Sequence, residues 1–181
     1  MSMPGNVIRN LNALGVLGLS VVLAIGFWLQ FSLHELPCPL CLLQRVAFVM
    51  VMYGFMLNVV RGVSYAHYGI VILSALFGAG VATRQVLLHI VPGTGTYGSP
   101  ILGLHFYTWS LILFTASILA CAILLLLSRQ EDPQAKVVLS APQKLVCWLA
   151  IVLTAMNAVA VFLECGAGVC PENPLEYLLL S

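Results

Sequence analysis

The chain has 181 residues, of which 61% are hydrophobic and only 7% are charged, and its mean hydropathy is +1.06. An average soluble domain has roughly 25% charged residues, so this composition excludes a soluble protein and indicates an integral membrane protein. The net charge of +1 excludes nucleic acid as a partner, because binding it requires clustered lysine and arginine. No stretch is polar enough to form a soluble module, so residues 1–181 are predicted to be a single membrane domain.

Five apolar runs are long enough to cross the hydrocarbon layer as helices, which takes about 20 residues. They predict an all-α membrane protein, with a four-helix transmembrane bundle and a fifth transmembrane helix. The first run is too long for the core of a cleaved signal and is predicted to be an anchor. The last run contains Asn157, so a shallow or re-entrant segment is its alternative. The predicted spans are residues 11–33, 42–60, 65–91, 104–127 and 145–163.

The charges in the loops predict the orientation of the bundle, because lysine and arginine collect on the cytoplasmic side of membrane proteins. All the basic loop residues fall on one side of the predicted bundle. This places the N-terminus in the cytoplasm and the C-terminus outside. The basic loop residues are Arg9, Arg61, Arg129, Lys136 and Lys144, and the acidic residues of the other side are Glu35, Glu164, Glu172 and Glu176.

The stretch CPLCLLQR, residues 38–45, places two thiols and an arginine at the start of the second span. Pro39 suits the first position of a helix, where the free N–H groups and the partial positive charge stabilise a thiolate. Arg45 lies one turn after Cys41 on the same face. A charged residue inside a span is a functional candidate, although an arginine that snorkels to the lipid head groups is the alternative.

A second cysteine pair, Cys165 and Cys170, follows the fifth span and is predicted to lie on the same outer side as the first pair. That side is the oxidising compartment, where thiols form disulfides. The two glycines between these cysteines make the segment pliable, which suits a mobile pair that exchanges with a rigid one. Static disulfides and a four-thiolate zinc site are the alternatives. The other two cysteines, Cys121 and Cys147, are predicted to be small buried hydrophobic residues.

The pattern C-x-x-C-x-x-x-R at the start of the second span resembles the signature of the DsbB family, the quinone-reducing membrane proteins that reoxidise the periplasmic thiol oxidase DsbA. The first four spans resemble the four-helix bundle of that family, and YGSPILGLHFYTW, residues 97–109, is similar to a form seen in some members. The resemblance implies that Cys38 and Cys41 are the quinone-proximal redox pair, with Arg45 holding a quinone oxygen. Arg84, near the same face, either borders the quinone head group or snorkels.

The second redox pair of that family usually lies between the third and fourth spans, but here this loop, residues 92–103, contains no cysteine. From the topology, we expect Cys165 and Cys170 to replace it. Electrons would then pass from a periplasmic DsbA-like thioredoxin-fold protein through both pairs to ubiquinone or menaquinone in the bacterial inner membrane. A relative of vitamin K epoxide reductase is one alternative, although the CxxC of that type belongs to a late span. A non-enzymatic scaffold with structural disulfides or a zinc clip is another.

Overall fold

The computed structural model describes residues 3–91, 93–131, 136–170, 174 and 176–179, which form five α-helices and no strand. Each helix is long and apolar enough to cross a membrane, which confirms the predicted all-α membrane fold. The fifth helix continues through Asn157 without a break. Residue 92 of the predicted external loop and Glu172 lie outside the described residues. The helices are α1 (Gly5–Ser32), α2 (Pro39–Val60), α3 (Tyr65–His89), α4 (Phe106–Leu127) and α5 (Ala141–Cys165).

Local capping sets helix starts that hydropathy does not reveal. Cys38 is the N-cap of α2 and Pro39 is its first residue, as the sequence predicts. Ser140 and Gln143 form a capping box, so α5 begins ahead of the predicted residue 145. Helix α1 likewise begins ahead of the predicted residue 11, because its first turns are polar and continue the helix beyond the apolar run.

Helix α2 lies at the centre of the bundle. It packs against α1 and α3, α4 packs on the far side of α3, and α5 packs mainly on α1. At one end of the bundle, the Met3 N–H donates to the carbonyl oxygen of Leu127 at 3.0 Å, and the Glu131 N–H donates to that of Val63 at 2.9 Å. The opposite end holds Cys38, and we call it the cysteine end.

Close helix contacts in the middle of the bundle depend on two glycines. A β-carbon at Gly54 of α2 would lie only 2.7 Å from Cγ2 of Val71 on α3. Gly78 of α3 lies directly against the ring of Phe114 on α4, which stacks on Phe48 of α2 with ring centroids 4.1 Å apart. Small residues let helix backbones approach closely in membranes, so α3 is held tightly between α2 and α4.

The two cysteines outside the predicted redox pairs are buried. Cys121 of α4 is fully enclosed, and Cys147 of α5 is 7% exposed. Both therefore fill space in the bundle, which confirms the prediction that they are small buried residues. Polar contacts also hold α5 in place, since the Gln143 amide donates to Oδ1 of Asn10 on α1 at 2.8 Å.

Candidate functional site

The start of α2 holds Cys38 and Cys41 side by side as free cysteines. The backbone N–H of Cys41 donates to Sγ of Cys38 at 3.2 Å, so the first sulfur serves as the helix cap. Because the helix N-terminus carries a partial positive charge, this position stabilises negative charge on the pair. The hydrogen bond with the Cys41 thiol, together with burial, raises the pKa of Cys38. Cys38 therefore keeps its proton in the reduced pair.

A buried amide from the neighbouring helix contacts both sulfurs. Nε2 of Gln85, on α3, donates to Sγ of Cys38 at 3.3 Å and to Sγ of Cys41 at 3.4 Å. Its Oε1 accepts from Nε2 of Gln44 at 2.6 Å, which fixes the amide with its donor side toward the thiols. Both glutamines are 1% exposed. Hydrogen bonds to a charged sulfur favour the thiolate, so Gln85 is placed to activate the pair.

Arg45 lies one turn below Cys41 and is 7% exposed. Its guanidinium donates to Oε1 of Gln30 at 2.7 Å and to the carbonyl oxygen of Gly26 at 3.1 Å. The guanidinium carbon also lies 5.5 Å from the ring centroid of Phe27. These hydrogen-bond partners are neutral, so they orient the positive charge without neutralising it. An arginine held in this way can stabilise a negative oxygen placed beside Cys41.

Cys41 and Arg45 line a common cavity of about 50 Å³ at the cysteine end. Tyr97, from the loop between α3 and α4, lines the same cavity, and its hydroxyl donates to the carbonyl oxygen of Leu36 at 2.6 Å. Burial raises the pKa of Tyr97, and neighbouring Cys38 and Cys41 raise it further, so the phenol stays protonated. The cavity wall therefore presents a thiol, a cation and a neutral hydroxyl group.

The second pair, Cys165 and Cys170, is joined in a disulfide at the end of α5. Cys165 is buried, whereas Cys170 is partly exposed. The described part of the C-terminal tail returns to the same end, where the Tyr177 hydroxyl accepts from Nε2 of Gln30 at 2.9 Å. Gln30 thus bonds to both the tail and Arg45. No group of three or more potential metal ligands is found among the described residues.

The comparisons with known proteins place the first half of the chain in one family. The family model described as disulfide bond formation protein DsbB matches residues 8–98, which is half of the chain. The chain belongs to the DsbB family. No solved structure matches it.

Curated relatives named disulfide bond formation protein B align over the same part of the chain. The relative from Polaromonas naphthalenivorans is 39% identical over 88 residues, which are 46% of this chain and 52% of the relative. The relative from Chromobacterium violaceum is 40% identical over 75 residues, which are 38% of this chain and 45% of the relative. The relative from Aromatoleum aromaticum is 34% identical over 75 residues, which are 39% of this chain and 45% of the relative. The chain spans about half the length of the curated relatives it matches.

The DsbB family match includes the first cysteine pair and Arg45, and it ends before α4. Cys165 and Cys170 lie outside the matched residues, so their role remains a prediction. Arg84 is exposed on α3 and does not line the cavity beside Cys41, so the structure does not bring it to the other candidates. Its predicted role in quinone binding remains untested.

Sequence reasoning missed three buried glutamines and one partly exposed tyrosine at the cysteine end. A polar side chain inside an apolar span is costly and so marks a functional candidate, and this signal was available for the glutamines. The tail tyrosine carried no such signal, because only the fold brings it to the site. The missed residues are Gln30, Gln44, Gln85 and Tyr177.

Gln85→Leu is expected to slow alkylation of Cys41 by iodoacetamide at neutral pH by about 10- to 100-fold. A hydrogen bond to a charged group contributes about 1.5–3 kcal/mol, so its loss lowers the thiolate population by that factor. The rate is measured by mass spectrometry on the fully reduced protein. Gln130→Leu, which alters an exposed glutamine beyond α4, is the matched control. Equal rates in the two variants would show that the Gln85 amide does not activate the thiols.

Proposed function

We propose that the protein is a thiol oxidase of the bacterial inner membrane that reoxidises a DsbA-like thioredoxin-fold protein and passes the electrons to a quinone. The main support is that Cys41 and a buried Arg45 line one cavity, with only neutral hydrogen-bond partners for the guanidinium among the described residues. Membership of a disulfide bond formation family supports the same reaction class. A scaffold with inert disulfides would have no need for this pairing of a thiol and a cation.

The residues around the cavity fit a quinone head group in their chemistry. A bound ubiquinone or menaquinone would supply a two-electron acceptor. Arg45 would bind a ring oxygen and stabilise negative charge on it, while Cys41 lies on the same wall. Gly26 adds no side chain to that wall, where a β-carbon would lie 3.5 Å from the Arg45 guanidinium. The cavity of about 50 Å³ is far below the roughly 300–1,000 Å³ of ligand pockets, so binding requires its walls to move apart.

The second pair is proposed to receive electrons from the soluble partner. Cys170 is partly exposed and Cys165 is buried, so a partner thiolate reaches Cys170 more easily. Its attack would form a mixed disulfide and release Cys165 as a thiolate. Resolution by the second partner thiol would complete the exchange. The resulting dithiol would then reduce a Cys38–Cys41 disulfide, and the Cys38–Cys41 dithiol so formed would pass its two electrons to the quinone.

The proposed orientation places the N-terminus in the cytoplasm and both cysteine pairs on the periplasmic side. The ends of α1 and α5 and the start of α2 lie together: Gln30 of α1 forms hydrogen bonds with Arg45 of α2 and with Tyr177 of the tail, and the tail also bonds to the end of α5. At the opposite end, the loop after α4 meets the loop between α2 and α3. The basic residues of that end lie in these loops or in the first turns of α1 and α5, namely Arg9, Arg61, Arg129, Lys136 and Lys144. The positive-inside tendency supports this assignment.

Arg45→Ala is expected to raise the KM for ubiquinone by about 10- to 100-fold, because the lost hydrogen bond to a charged oxygen contributes about 1.5–3 kcal/mol. The assay combines the purified protein with a reduced thioredoxin-fold partner and ubiquinone, and it follows quinone absorbance. Arg84→Ala, measured beside it, separates the buried arginine from the exposed one. An unchanged KM in Arg45→Ala would remove Arg45 from the quinone site, and a wild-type protein without turnover would overturn the proposed function.

A further inference from the structure

Glu164 is a buried carboxyl group that the mechanism above does not use. It lies in the last turn of α5 and is only 1% exposed. Neither of its carboxylate oxygens has a hydrogen-bond partner among the described residues. Burying a carboxyl group without hydrogen-bond partners destabilises a fold, so its presence at this position calls for a functional reason.

The C-terminal tail folds over the end of α5, where this carboxyl group lies. The Leu178 N–H donates to the carbonyl oxygen of Glu164 at 3.3 Å, and the Leu179 N–H donates to that of Leu163 at 3.2 Å. These bonds fold the tail over the end of α5, while Tyr177 extends to Gln30. Because Glu164 is only 1% exposed, a proton that reaches its carboxyl group comes from neighbouring protein groups.

The position of Glu164 links the two cysteine pairs. Its backbone is bonded directly to Cys165, which is buried and forms the second disulfide. Its carboxyl group interacts electrostatically with Arg45 and Cys41, which belong to the site of the first pair. Of all the acidic residues, only this one is both adjacent to one pair in sequence and close to the other in space within the described structure.

The titratable and charged groups around Glu164 come from three elements. Helix α2 contributes Cys41 and Arg45, the loop between α3 and α4 contributes Tyr97, and the tail contributes Tyr177 beside Arg45. Helix α1 presents the neutral Gln30. Among these groups, a carboxyl group is the one suited to accept a thiol proton and to return it at neutral pH.

We propose that Glu164 accepts and returns the protons that accompany exchange between the Cys165–Cys170 dithiol and the Cys38–Cys41 disulfide. This role rests on the proposed function, and it assigns a proton path to the transfer between the pairs. Electrons can move between pairs only as thiolates attack disulfides, so each attack needs a base for the incoming thiol. Water cannot serve that purpose easily at buried Cys165.

Protons and electrons balance in each exchange. The carboxylate takes a proton from one thiol of the second pair, and the resulting thiolate bonds to a sulfur of the first pair. The Cys38–Cys41 bond breaks, and its leaving sulfur takes the proton back from the carboxyl group. The second thiol repeats the cycle: it loses its proton to Glu164, closes the Cys165–Cys170 bond and releases the other sulfur, which is then protonated. Two electrons and two protons have moved, and Glu164 is unchanged.

The test compares Glu164→Gln, Glu164→Asp and wild type in two reactions of the purified full chain with ubiquinone. One reaction starts from a reduced thioredoxin-fold partner, and the other from dithiothreitol in a Cys165→Ser, Cys170→Ser background, where Cys38–Cys41 is the pair left to be reduced. Each is measured from mildly acidic to mildly alkaline pH. Glu176→Gln, which makes the same chemical change at an exposed tail position, is the matched control.

Glu164→Gln is expected to slow the partner-linked reaction about 100-fold at neutral pH, within the range of general acid–base catalysis. Without the carboxylate, hydroxide must remove the proton, so the variant should recover by about tenfold per pH unit. Glu164→Asp should restore part of the rate. The dithiothreitol reaction and Glu176→Gln should match wild type.

A wild-type pH profile in Glu164→Gln would overturn this role and leave the proposed function standing. Equal slowing of both reactions would also overturn it, because the carboxyl group would then act on the first pair alone. If Glu164→Gln does not fold, the partner-linked reaction of wild type is measured in deuterium oxide and in water. Turnover is expected to be slower in deuterium oxide, and an unchanged rate would contradict the role of Glu164. Absence of partner-linked turnover in wild type would overturn the proposed function and this role together.

Discussion

Cys41→Ser is expected to lower quinone-coupled thiol oxidation by at least about a thousandfold, the scale on which loss of a nucleophile lowers enzyme turnover. Cys41 is the sulfur that lines the cavity with Arg45, and a serine hydroxyl cannot form or break a disulfide. Turnover is measured as ubiquinone reduction with a reduced thioredoxin-fold partner. Dithiothreitol as the reductant should show the same loss, because both routes converge on Cys41.

Cys147→Ala is the matched control for this experiment. It removes a buried sulfur from α5 that takes no part in either pair. Wild-type turnover in Cys147→Ala together with loss in Cys41→Ser assigns the activity to the α2 thiol. Persistent turnover in Cys41→Ser would remove the redox role of the first pair.

Cys165→Ser and Cys170→Ser are each expected to abolish partner oxidation while ubiquinone reduction by dithiothreitol continues. The two cysteines form the disulfide that the partner would attack, whereas the first pair stays intact in both variants. Because Cys170 is the more exposed sulfur, Cys165→Ser mixed with the oxidised partner should also form a mixed disulfide, in which Cys170 bonds to one sulfur of the partner disulfide and the other partner sulfur leaves as a thiolate. Non-reducing gel electrophoresis after acid quenching detects that species.

The reciprocal variant is the internal comparison. Cys170→Ser keeps only the buried Cys165 and should trap little partner. If both variants oxidise the partner at the wild-type rate, the first pair acts alone and Cys165–Cys170 is a structural disulfide. If Cys170→Ser traps more partner than Cys165→Ser, the assignment of the attacked sulfur is reversed.

Apolar length was sufficient to predict the number and order of the helices. Five runs near the thickness of the hydrocarbon layer became five helices, because a backbone in lipid must satisfy its hydrogen bonds within the helix. Their ends were less predictable. Polar turns extend α1 toward Gly5, and a capping box starts α5 at Ala141, so both helices continue past the apolar sequence on which a hydropathy prediction relies.

Some residues of the candidate site were also predictable from the sequence, and others were not. Cys38, Cys41 and Arg45 were predictable because they share one helix face, where spacing alone brings side chains together. Gln85 and Tyr177 belong to other elements, and only tertiary packing places them beside that face. Their contacts depend on how closely the helices approach, which a single sequence does not encode locally.

Gly54 carries a consequence for chemistry far from its own position. It lets α3 approach α2 closely at Val71, in the middle of the bundle. Gln85 belongs to the same helix as Val71 and lies about 20 Å further along α3, at about 1.5 Å per residue. A larger side chain at position 54 would tilt or shift α3 and move the Gln85 amide away from both sulfurs. The reactivity of the first cysteine pair therefore depends on the absence of a side chain at Gly54, in the middle of the bundle.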